Sequence, residues 1–295
     1  MARNLTPTEQ RIVEAGTEIA DWPDVERPAF AHSLLCSVGL PRKSVSGPTY
    51  ERQSGKALLR ITAEAPPLGS GRIPFGVRPR LTLVHLVTEA VRTGNREIEV
   101  GGSIRDFLLT LGMDTSGKGY AGFKSQAVAL FSCHMVLGWI DGGHVEATHT
   151  NVASRYSAWL SGDGKQLALW PGSVTLTQEF FDSATGHAVP LDPRALQALK
   201  QSSLGLDVYQ FLAQRLHRIH PRKPLRLTWN NLADQFGVTE KTARSEMAST
   251  LRKVLTVYPS ANVEGVEGGL MLKHSKPPVQ TIQTTVNAGK LSTGK

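Results

Sequence analysis

Hydrophobic positions along this chain fall into blocks of helical and strand spacing, and one order of blocks occurs twice. In the first copy, about Leu34 to Leu176, Leu58-Leu59-Arg60-Ile61-Thr62 predicts a strand. A Pro/Gly-rich loop, Pro66 to Pro79, follows, and then Leu81, Val84, His85, Val87, Thr88 and Val91 recur at helical spacing. Glu97-Ile98-Glu99-Val100 predicts a short strand, and Ser103 the N-cap of a helix through Leu111 that Gly112 closes. A Gly-rich turn, Gly117 to Gly122, leads into a helix over about Phe123 to Met135. That helix turns Phe123, Ala127, Leu130 and His134 inward and leaves Lys124, Ser125 and Val128 more exposed. Strands are expected at Met135 to Ile140, Ser154 to Leu160, Gln166 to Trp170 and Val174 to Leu176, with glycine turns between them.

The second copy runs from about Leu191 to Lys276. Asp192 caps a short helix over Leu196 and Leu199, and Leu204, Val208, Phe211, Leu212 and Leu216 form an amphipathic helix ending near Arg218. Leu225-Arg226-Leu227 predicts a strand, Thr228 or Asn230 starts a helix over Leu232 and Phe236, and Gly237 ends it. Thr239 is expected to cap a long helix, Glu240 to Tyr258, stopped by Pro259. Ala261 to Glu264 and Leu270 to Lys273, joined by Glu267-Gly268-Gly269, form a hairpin. Both copies read helix, short strand, helix, turn, helix, hairpin, which is the winged form of the helix-turn-helix. The expected fold class is α+β: two tandem winged-helix domains with flexible termini. The parts are an acidic, partly helical or mobile lead (1–30), an N-terminal domain (31–185), a C-terminal domain (190–276) and a disordered tail (277–295).

On the long helix, Ala243, Met247, Leu251 and Val254 share an inward stripe, while Lys241, Ser245, Ser249 and Arg252, flanked by Arg244, share the outward one. Such a helix fits a DNA major groove: Arg pairs with guanine edges and Ser reaches bases or phosphates. A solvated helix face has a similar composition. The preceding Leu232-Ala233-Asp234-Gln235-Phe236-Gly237-Val238-Thr239 favours the helix-turn-helix, with a small Ala for close packing and a Gly for the turn. Lys273 on the hairpin is the expected phosphate contact of the wing. In the first copy Lys124 and Ser125 hold the corresponding places, on a helix with little positive charge that contacts DNA weakly or serves as an interaction surface.

Charge changes the picture by its distribution. The net charge is +8. Residues 1–30 hold 3 Lys/Arg against 6 Asp/Glu, whereas residues 195–276 hold 12 against 6. A local basic excess attracts polyanions, nucleic acid above all. No stretch is apolar enough to span a membrane, and Met1 to Ala20 lacks the apolar core of a secretory signal, so a cytoplasmic location is expected. Two cysteines, Cys36 and Cys133, exclude a disulfide framework and a cysteine zinc site; both read as buried thiols.

Enzyme signals fail on inspection. Gly112 to Gly119 approaches a P-loop but ends in Gly where Ser or Thr must reach Mg²⁺, and it follows a helix. The pairs His144/His149 and His217/His220 lack the spacing of a nuclease metal site. Trp139, Trp159, Trp170 and Trp229 read as core. No catalytic residue, metal or cofactor is expected.

The chain resembles the RepA-type replication initiators of broad-host-range plasmids. The resemblance spans roughly residues 30–275. It is carried by Leu34 to Lys43, by Arg80 to Arg92 with Thr88-Glu89-Ala90-Val91-Arg92, and by Leu169-Trp170 to Phe181. It continues in Val189-Pro190-Leu191-Asp192, Arg194 to Lys200 and Leu251 to Pro259. It implies a protein that binds direct repeats (iterons) of double-stranded DNA at a plasmid origin, promotes origin opening, exchanges between dimer and monomer, and recruits the host initiator and replicative helicase. The alternatives are a winged-helix transcriptional repressor and a protein-binding assembly or partitioning adaptor.

Overall fold

A computed structural model describes residues 5–155 and 172–279. The chain opens on α1 (Pro7–Asp21). A capping box fixes its start: Thr6 Oγ1 accepts from the Glu9 N–H, and the Glu9 carboxylate accepts from the Thr6 N–H. Next come β1 (Ala29–His32), the short α2 (Ser33–Ser37) and a hairpin of β2 (Thr49–Ser54) and β3 (Ala57–Thr62). The first unit continues with α3 (Val77–Thr93), β4 (Glu97–Glu99), α4 (Ile104–Thr110) and α5 (Gly117–Ser132). Strands β5 (His134–Asp141), β6 (His144–Asn151), β7 (Ala153–Arg155) and β8 (Ser173–Leu176) follow. Then α6 (Gln178–Gly186) and β9 (Ala188–Leu191) lead to α7 (Pro193–Leu199), α8 (Ser203–Arg215) and β10 (Leu225–Thr228). The described chain closes with α9 (Trp229–Phe236), α10 (Glu240–Val257), β11 (Val263–Val266) and β12 (Gly269–Leu272).

The fold is α+β, and one topology recurs in it. In the C-terminal unit the sheet order is β10-β12-β11, so the strand before the helix pair α9–α10 lies beside the last strand. In the N-terminal unit the order is β4-β8-β7 around the helix pair α4–α5. The sequence placed β5 in that repeated unit. The structure instead pairs β5 with β3 and with the unforeseen β6, in a separate four-stranded antiparallel sheet, β2-β3-β5-β6. The hairpin β5–β6 is thus an insertion between α5 and β7. Of the strands expected at Ser154 to Leu160 and Gln166 to Trp170, only the start lies among the described residues, in β7.

Four local expectations are corrected. The glycines of Gly117 to Gly122 form the first turns of α5, not a turn before it, and Ser116 Oγ caps them by accepting from the Gly119 N–H. Gly119 serves close approach, since a side chain there would collide with the Asp114 backbone; one at Gly122 would only displace the Arg78 guanidinium. Helix α5 ends at Ser132, so His134 is an exposed strand residue. Val128 is buried, because the C-terminal half of α5 is covered on every side, from Gln126 through Ser132. Thr239 stands at the N-cap position of α10 without capping it; its hydroxyl bonds that of Thr242.

Two cores lie side by side. One gathers β3, β5, α3 to α6 and the β4-β8-β7 sheet; the other gathers α7 to α10 with the hairpin β11–β12. The acidic lead belongs to the second core: Ile12 and Ile19 of α1 are buried in it, against α7 and α10. β1 joins it by pairing with β9. Of the expected disordered tail, Pro277 to Val279 are described and Val279 is buried, while the rest lies outside the described residues. Gly16 sets how closely α1 meets α10, since a Cβ there would stand 2.5 Å from the Thr256 carbonyl oxygen. Gly16→Ala should therefore lower the thermal midpoint, although helix propensity alone would raise it. A midpoint at or above wild type in a thermal melt would show that α1 does not pack there.

A buried ion pair bolts the cores together. Arg80 of α3 and Asp207 of α8, 4% and 8% exposed, form two hydrogen bonds of 2.7 Å. The remaining N–H groups of Arg80 donate to the carbonyls of Leu40, Pro41 and Gly76. All five guanidinium donors are thereby used, which is what a buried arginine requires.

Candidate nucleic-acid interface

The helix pair α9–α10 owes its geometry to short-range signals. Thr228 and Asn231 form a reciprocal cap at the start of α9. Gly237, at φ +61°, makes the left-handed turn that ends it. Leu232, Ala233, Phe236 and Val238 are buried, as are Ala243, Met247, Leu251 and Val254 on the inner stripe of α10. This fixes the rotation of α10 and decides which side chains face out.

Lys241, Arg244, Ser245 and Arg252 are exposed and Ser249 is half-buried, all on the outer side of α10. None of the three cations forms a salt bridge among the described residues. Ser245 Oγ donates back to the Thr242 carbonyl. The acid in this stretch, Glu246, is neutralised from outside the unit: Arg42 donates to its carboxylate at 3.1 Å and to the Gly237 carbonyl at 3.2 Å. The Thr242 side chain and the Arg42 guanidinium hold Glu246 below the usual carboxylate range. Arg52 of β2 donates to the Gln235 carbonyl in the same turn. The sequence carried no signal for Arg42 or Arg52, which act across 204 and 183 residues.

A cleft of about 580 Å³ separates α10 from the hairpin tip. Arg244, Ala248, Arg252 and Leu255 line one wall, and Gly265 to Gly268 the other, with Trp229 at one end. Lys273 is not among its lining residues. It lies just beyond β12, at the base of the hairpin, where its Nζ bonds Glu264 Oε1 at 2.5 Å. The cation near the tip is Arg226 of β10, which donates to the Glu267 carbonyl. In the N-terminal unit, Lys124 is half-buried and Ser125 exposed on α5, the counterpart of α10. Ser125 edges a second open cleft with Arg72 and Phe75. The arrangement is one convex, cationic helix with an adjoining hairpin, and no group of carboxylates, histidines or cysteines positioned for a metal ion occurs among the described residues.

The family model for plasmid-encoded RepA proteins matches residues 73–231, more than half of the chain, from the approach to α3 into α9. A crystal structure of RctB domains 2 and 3, RctB-155-483, is similar with a TM-score of 0.50 and 14% identity, covering 81% of this chain and 94% of that one. A structure of selenomethionine derivatives of the same two domains gives a TM-score of 0.52 and 13% identity, covering 83% and 98%. At those identities the likeness shows the fold alone. No curated protein matches the chain.

Proposed function

This chain belongs to the plasmid-encoded RepA family of replication initiators, and from that premise we propose that it binds direct repeats in a plasmid origin through α10. In this reading both helix pairs are helix-turn-helix elements of winged-helix units. The observation that carries it is the outer side of α10: Lys241, Arg244 and Arg252 form no salt bridge among the described residues, and the two arginines line a cleft that ends at the hairpin tip. Lys241, Arg244, Ser245, Ser249 and Arg252 meet the major groove, and the tip, with Arg226 behind it, meets the neighbouring backbone. Lys273 would have to leave Glu264 to contact a phosphate, so its contribution is smaller than its charge implies. Lys124 and Ser125 offer the N-terminal unit a weaker contact.

Protomers on phased repeats would deform the duplex between them, and the deformation is offset by the added contacts. Exchange between dimer and monomer, and recruitment of the host initiator and helicase, belong to the same proposal. It assigns the chain no catalysis and places it in the cytoplasm. Among the described residues, no helix is long and apolar enough to cross a membrane.

The test is a gel-shift titration on the replicon's own repeat DNA against random duplex, repeated at several salt concentrations. A ladder of discrete complexes that survives competitor is expected, with log K falling linearly as log salt rises, by about 0.9 per phosphate neutralised. Equal smears on both DNAs, or a flat salt plot, would remove α10 as a DNA reader. Complexes on a single palindrome alone would make the chain a repressor.

A further inference from the structure

Between the two cores lies a cavity of about 340 Å³ that neither helix pair uses. Strands β5 and β6 wall one side; the junction of β1 with α2, the end of α6 and the end of α8 wall the other. Trp139, expected in the core, is 43% exposed and lines this cavity, because it lies towards the β5–β6 turn, past the buried part of the strand from Met135 to Gly138. Gln214 lines it too. This residue is only 4% exposed, yet its amide has no hydrogen-bond partner among the described residues. The amide is not sealed from solvent, so it opens onto the cavity with its donors and acceptor available to whatever fills that space.

The other lining groups narrow the ligand's chemistry. Arg218 is exposed and forms no salt bridge among the described residues, and His187, also exposed, is a further lining residue. His32 is fully buried and bonds Ser183; burial lowers its pKa to about 4, so it stays neutral near pH 7 and contributes no charge. Glu146 stands opposite Trp139 across the β5–β6 register. An exposed indole, an open amide, a carboxylate and a guanidinium that bonds only the neighbouring His217 ring, through Nε, are together complementary to a planar base with a hydrogen-bonding edge and an attached phosphate.

We propose that this cavity binds one unstacked nucleotide: Trp139 stacks on the base, Gln214 pairs with its edge and Arg218 holds the phosphate. Glu146 accepts from an exocyclic amino group, which favours adenine or cytosine over thymine. The nucleotide is one residue of a single DNA strand or a free mononucleotide, and the two sources share this chemistry. Occupancy would touch both cores at once.

The experiment is fluorescence anisotropy of the full chain with labelled ten-residue oligodeoxyadenylate and oligothymidylate, with unlabelled dAMP as competitor. Two variants accompany it, Trp139→Ala and Gln214→Leu. Trp139 is exposed, so its truncation leaves the cores intact; Gln214→Leu removes an unpartnered amide at similar volume, and its melting temperature should match or exceed wild type. Oligodeoxyadenylate should bind more tightly than oligothymidylate. Each variant should weaken it about tenfold, as loss of one base–aromatic stack does, while affinity for duplex repeats is unchanged. Competition by dAMP at or below millimolar concentration assigns the free nucleotide, and competition by oligonucleotide alone assigns the single strand. Wild-type affinity in both variants, or no nucleotide binding at all, overturns the proposal. So does a marked fall in the Gln214→Leu melting temperature, which would make the amide structural. An equal loss of duplex binding would also overturn it, by making the cavity part of the duplex surface. Failure of the α10 assignment reads out separately, as wild-type protein that does not discriminate repeat from random duplex.

Discussion

Asp207→Ala should cost about 3–5 kcal/mol of folding stability, the range for removing one partner from a buried ion pair. The loss is not the strength of two hydrogen bonds. It is the cost of leaving the Arg80 guanidinium, 4% exposed, without a counter-charge in a buried site. The bonds from Arg80 to the carbonyls of Leu40, Pro41 and Gly76 cannot compensate, since none carries a full negative charge. Thermal or denaturant unfolding measures the effect; a drop in melting temperature of the order of 10 °C is expected. The double variant Arg80→Met/Asp207→Leu removes both charges and should recover most of the loss. Because Asp207 sits on α8 and Arg80 on α3, the single variant should loosen one core against the other before either melts, visible as a broadened or two-step transition. A midpoint equal to wild type would mean that water enters the site.

Arg252→Ala should weaken binding to the specific repeat by about 1–3 kcal/mol, the worth of one bidentate contact to a base. Arg252 is exposed, belongs to the outer side of α10 and lines the cleft facing the hairpin tip, so its truncation costs the fold little. The form of the loss identifies the contact. A drop confined to the specific site, with random duplex unaffected, marks a base contact. A uniform drop with a salt slope shallower by about one marks a phosphate contact. Arg244→Ala, on the same cleft wall, should behave alike. Lys273→Ala should lose less, since Glu264 already holds that ammonium. Unchanged affinity and discrimination in both arginine variants would leave α10 a solvated face.

What the sequence determined by itself is what neighbouring residues decide together. The stripe Ala243, Met247, Leu251 and Val254 is set by the helical period, and with it the exposure of Lys241, Arg244 and Arg252. Gly237 is needed where φ turns positive, and Thr228, Ser103 and Asp192 are caps that act within three residues. Burial of Cys36 and Cys133 follows from their apolar neighbours. These suffice for the helix pair, its strand and its hairpin.

Only the tertiary structure decided the rest, because it depends on which distant segments close on one another. Helix α1 reads as a solvated acidic lead until Ile12 and Ile19 meet α7 and α10. β5 has the spacing of any half-buried strand, and nothing local tells it to pair with β3 rather than with β8. Towards the turn of the hairpin so formed, Trp139 lines a cavity instead of a core. Gly119 looks like a turn glycine, and the need for it is set by the Asp114 backbone packed against the helix. Arg42, Arg80 and Gln214 resemble ordinary polar residues in the sequence. Their partners Glu246 and Asp207 lie 204 and 127 residues away, and the open amide of Gln214 is defined only by what surrounds it. Period and capping are local and short in range, whereas pairing across long loops is settled by which packing buries the most apolar surface and leaves the fewest charges unmatched.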